Sequence, residues 1–273
     1  MTTDNDRRVE SNRTLWNEWA ARHGDKAMAA TVKRLQPVGS TTLRDFEVED
    51  IGDVAQARLL HLQCMFGADT ISWSRQGARA TGLDFSEEAI HVARRIAERL
   101  DDPTQFHCAE IEEFEASHAG SFDVVYASRG VVRWLPDLNQ WFSHVARLLK
   151  PGGLFHLNDT HPILKTLRED ALEPTPTYAY FSTSSPSRIP VPRAGSNGQA
   201  AKYLWTHDLG AIVTAAAGAG LTVSRLCEYP WTERELPFLQ RGVPAYRWRL
   251  KNGELPLHFS FKAVRPRYET ASA

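Results

Sequence analysis

Between residues 58 and 160 short apolar runs alternate with segments whose apolar positions recur at helical spacing, the order that predicts a parallel sheet with crossover helices. RLLHLQC (58 to 64) reads as a first strand, and ADTISWSRQ as a helix that Gly77 can end. ARATGLDF (78 to 85) is a second strand. Ser86 then stands at an N-cap position before EEAIHVARRIAERL, where Ala89, Ala93, Ile96, Ala97 and Leu100 share one face and Glu87 and Glu88 suit the first-turn dipole. After Pro103, TQFHCAEI predicts a third strand and EEFEAS an acidic connection. SFDVVYAS (121 to 128) is a fourth strand, dense in apolar residues as buried parallel strands are. A helix with Leu138, Trp141, Phe142, Val145 and Leu149 inward runs to Pro151-Gly152-Gly153, and GLFHLND (153 to 159) follows as a fifth strand.

The pattern then loosens. Residues 173 to 200 hold Pro174, Pro176, Pro186, Pro190 and Pro192 among small polar residues, with Tyr178, Tyr180 and Phe181 interleaved, and the aromatics favour a substrate lid over a plain linker. Asp208 can cap the helix LGAIVTAAAGAG, LTVSRLCEY gives a sixth strand, and a second Pro-rich insertion (230 to 256) leads to LHFSFKAV, a strict period-2 seventh strand. At the other end, Leu15, Trp16, Trp19, Ala20 and His23 lie at helical spacing. That helix precedes the first strand, which suits a cover laid across the sheet, and the chain divides into an N-terminal helical cover (1 to 54) and an α/β domain (55 to 273) with insertions near 165 to 203 and 230 to 256.

Composition narrows the function classes. A chain of 273 residues that is 42% hydrophobic can bury a core without metal or disulfide staples. A net charge of −1 and a pI of about 6.8 argue against a nucleic-acid partner. No run approaches the roughly 18 apolar residues of a membrane span and the first residues are polar, so the expected setting is cytoplasmic, away from the membrane. Cys64, Cys108 and Cys227 are widely spaced inside apolar runs, which predicts buried thiols, no disulfide and no metal site.

In an open α/β sheet, ligands sit beyond the carboxyl ends of the strands. Gly67 closes the first strand's turn. Asp84 ends the second strand about 20 residues on, where a carboxylate can accept from two ribose hydroxyls, and Ser86 offers the better helix cap, leaving Asp84 for a ligand. Neither GxGxxG nor GxxxxGK[ST] is present, which disfavours dinucleotides and nucleoside triphosphates and leaves a nucleoside without a phosphate chain.

LLHLQCMFGADTISWSRQGARATGLDFSEEAI, FDVVYAS and ARLLKPGGLFHLND resemble the class I S-adenosylmethionine-dependent methyltransferases over roughly residues 55 to 228, and weakly over the last strand. The resemblance implies a seven-stranded Rossmann-like sheet in the order 3-2-1-4-5-7-6, its seventh strand antiparallel, with helices on both faces. It also implies S-adenosylmethionine as cofactor and S-adenosylhomocysteine as product. The family's D/E-x-G-x-G-x-G loop is altered: His61 replaces the acid, Gln63 and Met65 replace two glycines, and Gly67 remains. This LQC-x-FG form is similar to that of a bacterial subgroup attached to natural-product or other small-molecule methylation. By the same resemblance Asp84 binds the ribose, Phe85 lies beside the adenine, Glu110 and Ile111 form the adenine-edge pair, and Ser128 with Arg129 lies under the methionine moiety.

Methyl transfer from a sulfonium asks for alignment and exclusion of water. Aromatic rings favour such a cation, which gives Trp16, Trp19, Tyr178 and Tyr180 a use. A protonated acceptor also needs a base, for which His161, just after the fifth strand, and His207, before the next helix, are the candidates. Arg129, Trp134, Tyr178 and Tyr180 are expected on the substrate side. The expected partner is a small metabolite methylated at O, N or C; an N-terminal helix of this kind can be exchanged between subunits, leaving a homodimer open. Two rivals remain: a methyltransferase fold that uses the cofactor as scaffold for rearrangement or cyclisation, and a non-catalytic binding protein.

Overall fold

The computed structural model describes residues 3–183, 185–191 and 200–267. Its centre is a seven-stranded sheet built from β1 (Arg58–Leu62), β2 (Arg79–Asp84), β3 (Gln105–Cys108), β4 (Phe122–Ser128), β5 (Leu149–Thr160), β8 (Thr222–Tyr229) and β11 (His258–Val264). The strand order is β3-β2-β1-β4-β5-β11-β8, with β11 antiparallel to both its neighbours. This is the expected 3-2-1-4-5-7-6 arrangement once the two short ribbons β6 (Ser187–Val191) with β7 (Ala200–Leu204) and β9 (Leu239–Arg241) with β10 (Trp248–Leu250) are set aside.

Alternation along the strands fills both faces. Leu60, Leu62, Val125, Ala127, Phe155, Leu157, Phe259 and Phe261 point to one side, where α5 (Ile111–His118), α6 (Leu138–Leu148) and α8 (Leu209–Gly218) cover them. Leu59, Val124 and Tyr126 point to the other, against α2 (Asp45–Ile51) and Trp73 of α3 (Ala68–Arg75). α4 (Glu87–Arg99) is capped by Ser86, whose Oγ accepts from Ala89 N, as its sequence predicts. The acidic connection after β3 is instead the helix α5: Phe114 packs on Phe122 with ring centroids 6.1 Å apart, which supplies the inward anchor that a run of glutamates conceals.

The N-terminal helix is longer than its apolar stripe suggests, running as α1 from Asp4 to Leu35. Ala20, Met28 and Leu35 pack with Ala89, Val92, Ala93 and Ile96 of α4. Gly24 permits that approach, since a Cβ there would lie 2.6 Å from Val92 Cγ2. At its other end α1 is tied to β7. Buried Asn12 donates from Nδ2 to Tyr203 O and accepts at Oδ1 from Tyr203 N, both at 2.8 Å, so one amide stands in for a neighbouring strand.

Both insertions differ in detail from their sequence reading. Of the first, residues 184 and 192–199 lie outside the described residues; β7 packs under α1, while Tyr178 and Phe181 are exposed. The second, with β9 and β10, seats Leu236, Phe238, Leu239 and Leu250 on Leu164 and Leu167 around α7 (Pro162–Thr166). Of the three thiols only Cys64 is buried. Cys108 is exposed at the end of edge strand β3 and Cys227 half-buried on edge strand β8, because apolar neighbours along a strand do not bury the outward face at a sheet edge.

Asn12→Ala would leave two backbone groups of Tyr203 without partners. It is expected to cost about 1–3 kcal/mol and to raise amide exchange in α1 and β7 while leaving β1 and β4 protected; unchanged exchange at residues 200 to 204 would contradict this role.

Candidate functional site

At the carboxyl ends of β1 to β5 the surface opens into two lobes, of about 410 Å³ and about 370 Å³, that share Gln63, Asp84, Phe85 and Trp134 as common walls. The turn after β1 shapes them. Its backbone is left-handed at Gln63 (φ 48°), Met65 (φ 51°) and Gly67 (φ 72°), so the altered loop still makes the tight turn even where glycine is replaced. Gly67 is required for another reason as well: a Cβ there would lie 2.3 Å from Phe106 Cζ. Gly67 therefore makes room for a core ring and lines neither lobe.

Asp84 fastens the loop. Its Oδ2 accepts from Met65 N and its Oδ1 from Ser86 N, each at 2.9 Å. The carboxylate is thus not left free by the Ser86 cap, although each oxygen keeps a second lone pair. Burial behind the loop pushes its pKa up, against those two amide donors. Gln63 Oε1 is buried without a hydrogen-bond partner among the described residues.

The smaller lobe holds Phe85, Glu110, Ile111, Trp134 and Leu135, and α1 contributes Asp6, Val9, Glu10 and Arg13. Arg13 pairs with Glu110 and lies over the Phe85 ring, 5.6 Å from its centroid. The larger lobe runs from Trp16, Met65 and Ser128 past Arg129 to Arg133, Thr160, Lys165, Thr232, Glu233, Arg234 and His258. Trp16 and Trp134 meet there edge-on at 5.1 Å.

Beneath the larger lobe is a buried ionic network. Arg129, left-handed at φ 63°, bonds Asp69 at 3.0 Å and Thr42 O at 3.0 Å, and stands 3.6 Å from Glu47 and 3.7 Å from Glu233. Burial opposes the guanidinium charge, but Asp69, Glu47 and Glu233 outweigh it and push the pKa up. Glu47, 0% exposed, also takes Asn158 Nδ2 at 2.8 Å and the Tyr126 hydroxyl, yet burial raises its pKa to about 7.

Ten of the residues singled out from sequence for the site line the lobes: Trp16, Gln63, Met65, Asp84, Phe85, Glu110, Ile111, Ser128, Arg129 and Trp134. The other candidates lie elsewhere. His61 is buried under the sheet end, with Nδ1 2.8 Å from Thr70 Oγ1 and its pKa lowered by burial to about 4. Trp19 stacks on Phe66 at 5.6 Å and is 38% exposed, while Trp16, one helical turn away, faces the cleft. His161 caps α7 by accepting from Ile163 N, and its Nε2 stands 2.8 Å from Glu228. His207 Nε2 donates to Leu135 O at 2.8 Å. Tyr178 is 58% exposed and Tyr180 stacks edge-on with Phe181. Position after the fifth strand suggested His161 and position before a helix suggested His207, but the first spends a ring nitrogen on capping α7 and the second on the Leu135 carbonyl.

The histidine of the larger lobe is His258, at the start of β11. It stacks on Trp231 at 5.0 Å, and its Nε2 is buried without a hydrogen-bond partner among the described residues. Burial lowers its pKa to about 4, against Glu233 and Asp159. In sequence it is one polar position of a period-2 strand, and only the antiparallel return of β11 beside β5 reveals it.

Residues 60–155 match the family model described as a methyltransferase domain. The chain is 36% identical over 100 residues to a ubiquinone biosynthesis O-methyltransferase from Aromatoleum aromaticum, a stretch covering 37% of this chain and 42% of that relative. The chain thus matches less than half the length of that curated relative. Its fold is similar to that of an S-adenosylmethionine dependent methyltransferase from Mesorhizobium loti, with 19% identity, a TM-score of 0.55, and coverage of 80% of this chain and 94% of that one. It is also similar to the [4+2]-cyclase SpnF, with 13% identity, a TM-score of 0.52, and coverage of 81% and 77%.

A carboxyl that holds its proton up to about 7 when folded and about 4.5 when unfolded loses stability as pH rises between those values. His61 and His258, lowered to about 4, work in the opposite sense from about pH 4 to 6.5, so the wild-type slope is a sum. Glu47→Gln removes only the first contribution. Relative to wild type it is expected to gain stability progressively from pH 4.5 to 7, by up to about 3 kcal/mol, in urea unfolding; a difference that does not change with pH would contradict the assignment.

Proposed function

With a class I S-adenosylmethionine-dependent methyltransferase domain at its core, this chain, we propose, transfers a methyl group from S-adenosylmethionine to an O, N or C atom of a small metabolite. The observation that carries this reading is the pair of lobes meeting at Gln63, Asp84, Phe85 and Trp134, one suited to a nucleoside and the other leading to a polar chamber. Both open at the strand ends, where ligands of such sheets bind.

The residues present fit that cofactor. Gln63 Oε1 is a buried acceptor with no partner among the described residues, and Asp84 keeps lone pairs for hydroxyl donors. Asp84 and Gln63 would hold the ribose and methionine portions, Phe85 and Ile111 would enclose the base, and Glu110 would meet the base edge on giving up Arg13. α1 acts as a cover, since Arg13 and Trp16 reach the two lobes from one helix face and Asn12 pins that helix to β7. When bound, the cofactor supplies an activated methyl on a sulfonium, and its spent form is S-adenosylhomocysteine.

The protein's remaining tasks are orientation, exclusion of water and the acceptor's proton. Trp16 and Trp134 wall off the junction and present ring faces and edges suited to a neighbouring cation. His258 is neutral near pH 7, so its ring can take a hydrogen bond, and then the proton, from a hydroxyl or amine acceptor. Glu233, whose charge favours the imidazolium, stabilises His258 once it is protonated. The net charge of −1 supports a small-molecule acceptor over a nucleic acid.

Incubated with S-adenosylmethionine and a panel of phenols, carboxylic acids and amines, the protein is expected to yield a product heavier by one CH2 for each S-adenosylhomocysteine released. His258→Gln should lower turnover on a hydroxyl acceptor by about 100-fold with little change in KM. A product of unchanged mass would instead indicate rearrangement or cyclisation, and full turnover by the variant would remove His258 from proton transfer.

A further inference from the structure

Three cations converge at the far end of the larger lobe. Arg133 comes from the 3-10 turn Val132–Trp134 after β4, Lys165 from α7 after β5, and Arg234 from the segment between β8 and β9. Two carboxylates stand among them. Glu169 binds both terminal nitrogens of Arg234 at 2.7 Å and lies 4.0 Å from Arg133 Nη1. Asp159 lies 3.8 Å from Lys165 Nζ, but its two oxygens already accept backbone N–H groups of Val132 and Thr160. Lys202 of β7 adds a fourth positive charge to the same field.

Positive charge therefore exceeds negative at this end of the chamber. Glu233, which also lines the lobe, does not redress the balance, because Arg44 holds both its oxygens at 2.7 Å and 2.9 Å and Arg129 stands 3.7 Å away. Arg133 Nε is buried and has no hydrogen-bond partner among the described residues. Burial lowers the pKa of Arg133, Lys165 and Lys202 alike, the mark of cations held out of water with too little negative charge nearby. A polar group so placed is costly unless a ligand completes it.

We propose that the chamber selects an acceptor that carries an oxyanion, a carboxylate or a phosphate, bound by Arg133 and Lys165 with Arg234 alongside. This rests on the methyltransferase reading above and names its substrate class. Guanidinium and ammonium donors at one wall match the oxygens of such a group, and Trp16 and Trp134 leave an apolar flank for the body of the molecule between anion and methyl donor. The cofactor's own carboxylate is the rival ligand for any cation in this cleft. Lys165 and Arg234 argue against it, since both lie outside the residues 60–155 that match the methyltransferase domain and belong to the segments that close the chamber.

The test is a titration of the protein saturated with S-adenosylhomocysteine, using benzoate, phenyl phosphate and the uncharged benzamide, read by calorimetry and by the fluorescence of the lobe tryptophans. At least one anion is expected to bind tenfold or more tightly than benzamide, and the order of the two anions tells which oxyanion the site takes. Lys165→Met and Arg133→Gln should each remove most of that preference, Lys165→Arg should retain it, and affinity for S-adenosylhomocysteine and the melting temperature should hold in all three. Equal binding of benzamide and the anions, or no detectable binding of any by protein that holds S-adenosylhomocysteine, would overturn the proposal. Loss of S-adenosylhomocysteine affinity in the variants would assign the cations to the cofactor and overturn it too. Wild type that binds no S-adenosylhomocysteine would sink the underlying reading, and this one with it.

Discussion

Arg129 carries one positive charge at the floor of the cleft, and carboxylates from three separate parts of the chain converge on it: Glu47 from α2, Asp69 from α3 and Glu233 from the second insertion. Each of those groups would be costly to bury alone. Held together they fix where the outer segments sit on the sheet, because no one of them can move without stranding a charge. Arg129 itself adopts a left-handed backbone at the end of β4, with its N–H on Asn158 O, so the sheet and the network share a residue.

That arrangement separates two kinds of construction within one cleft. The smaller lobe is made by strand ends and the turns after them, where backbone geometry does most of the positioning: Asp84 holds the left-handed loop after β1, and α1 closes over it. The larger lobe shares some of those strand ends but adds elements beyond them: the turn after β4, α7, the second insertion and the first residue of β11 all contribute to its lining. Apart from its α1 residues the smaller lobe is lined within residues 60–155, which match the methyltransferase domain, whereas α7, the second insertion and β11 lie outside that match.

The sheet was legible in sequence because its signals are local. Runs such as FDVVYAS and HFSFKAV carry their own periodicity, and Ser86 and Asp208 mark helix starts by side chains that accept from the N3 amides, as found. Asp84 was legible for the same reason, since a strand's end fixes a place in the cleft, while Phe85, Glu110 and Ser128 followed from the family resemblance and line the lobes as it implies. The acceptor end was not. His161 and His207 stand next to strand or helix ends in sequence but spend their ring nitrogens on capping and backbone contacts, whereas His258 reaches the cleft only through long-range antiparallel pairing. Arg133, Lys165 and Arg234 are separated by up to about 100 positions in the chain, and nothing in their local patterns announces that they meet.

The central claim is that the cleft around Asp84 holds S-adenosylmethionine or its product, and calorimetric titration with S-adenosylhomocysteine tests it most directly. Wild type is expected to bind one equivalent, and Asp84→Asn, checked for folding by its melting curve, to bind at least tenfold more weakly. Folded wild type that gives no binding heat or melting shift, or an Asp84→Asn variant that binds as wild type does, would contradict the account.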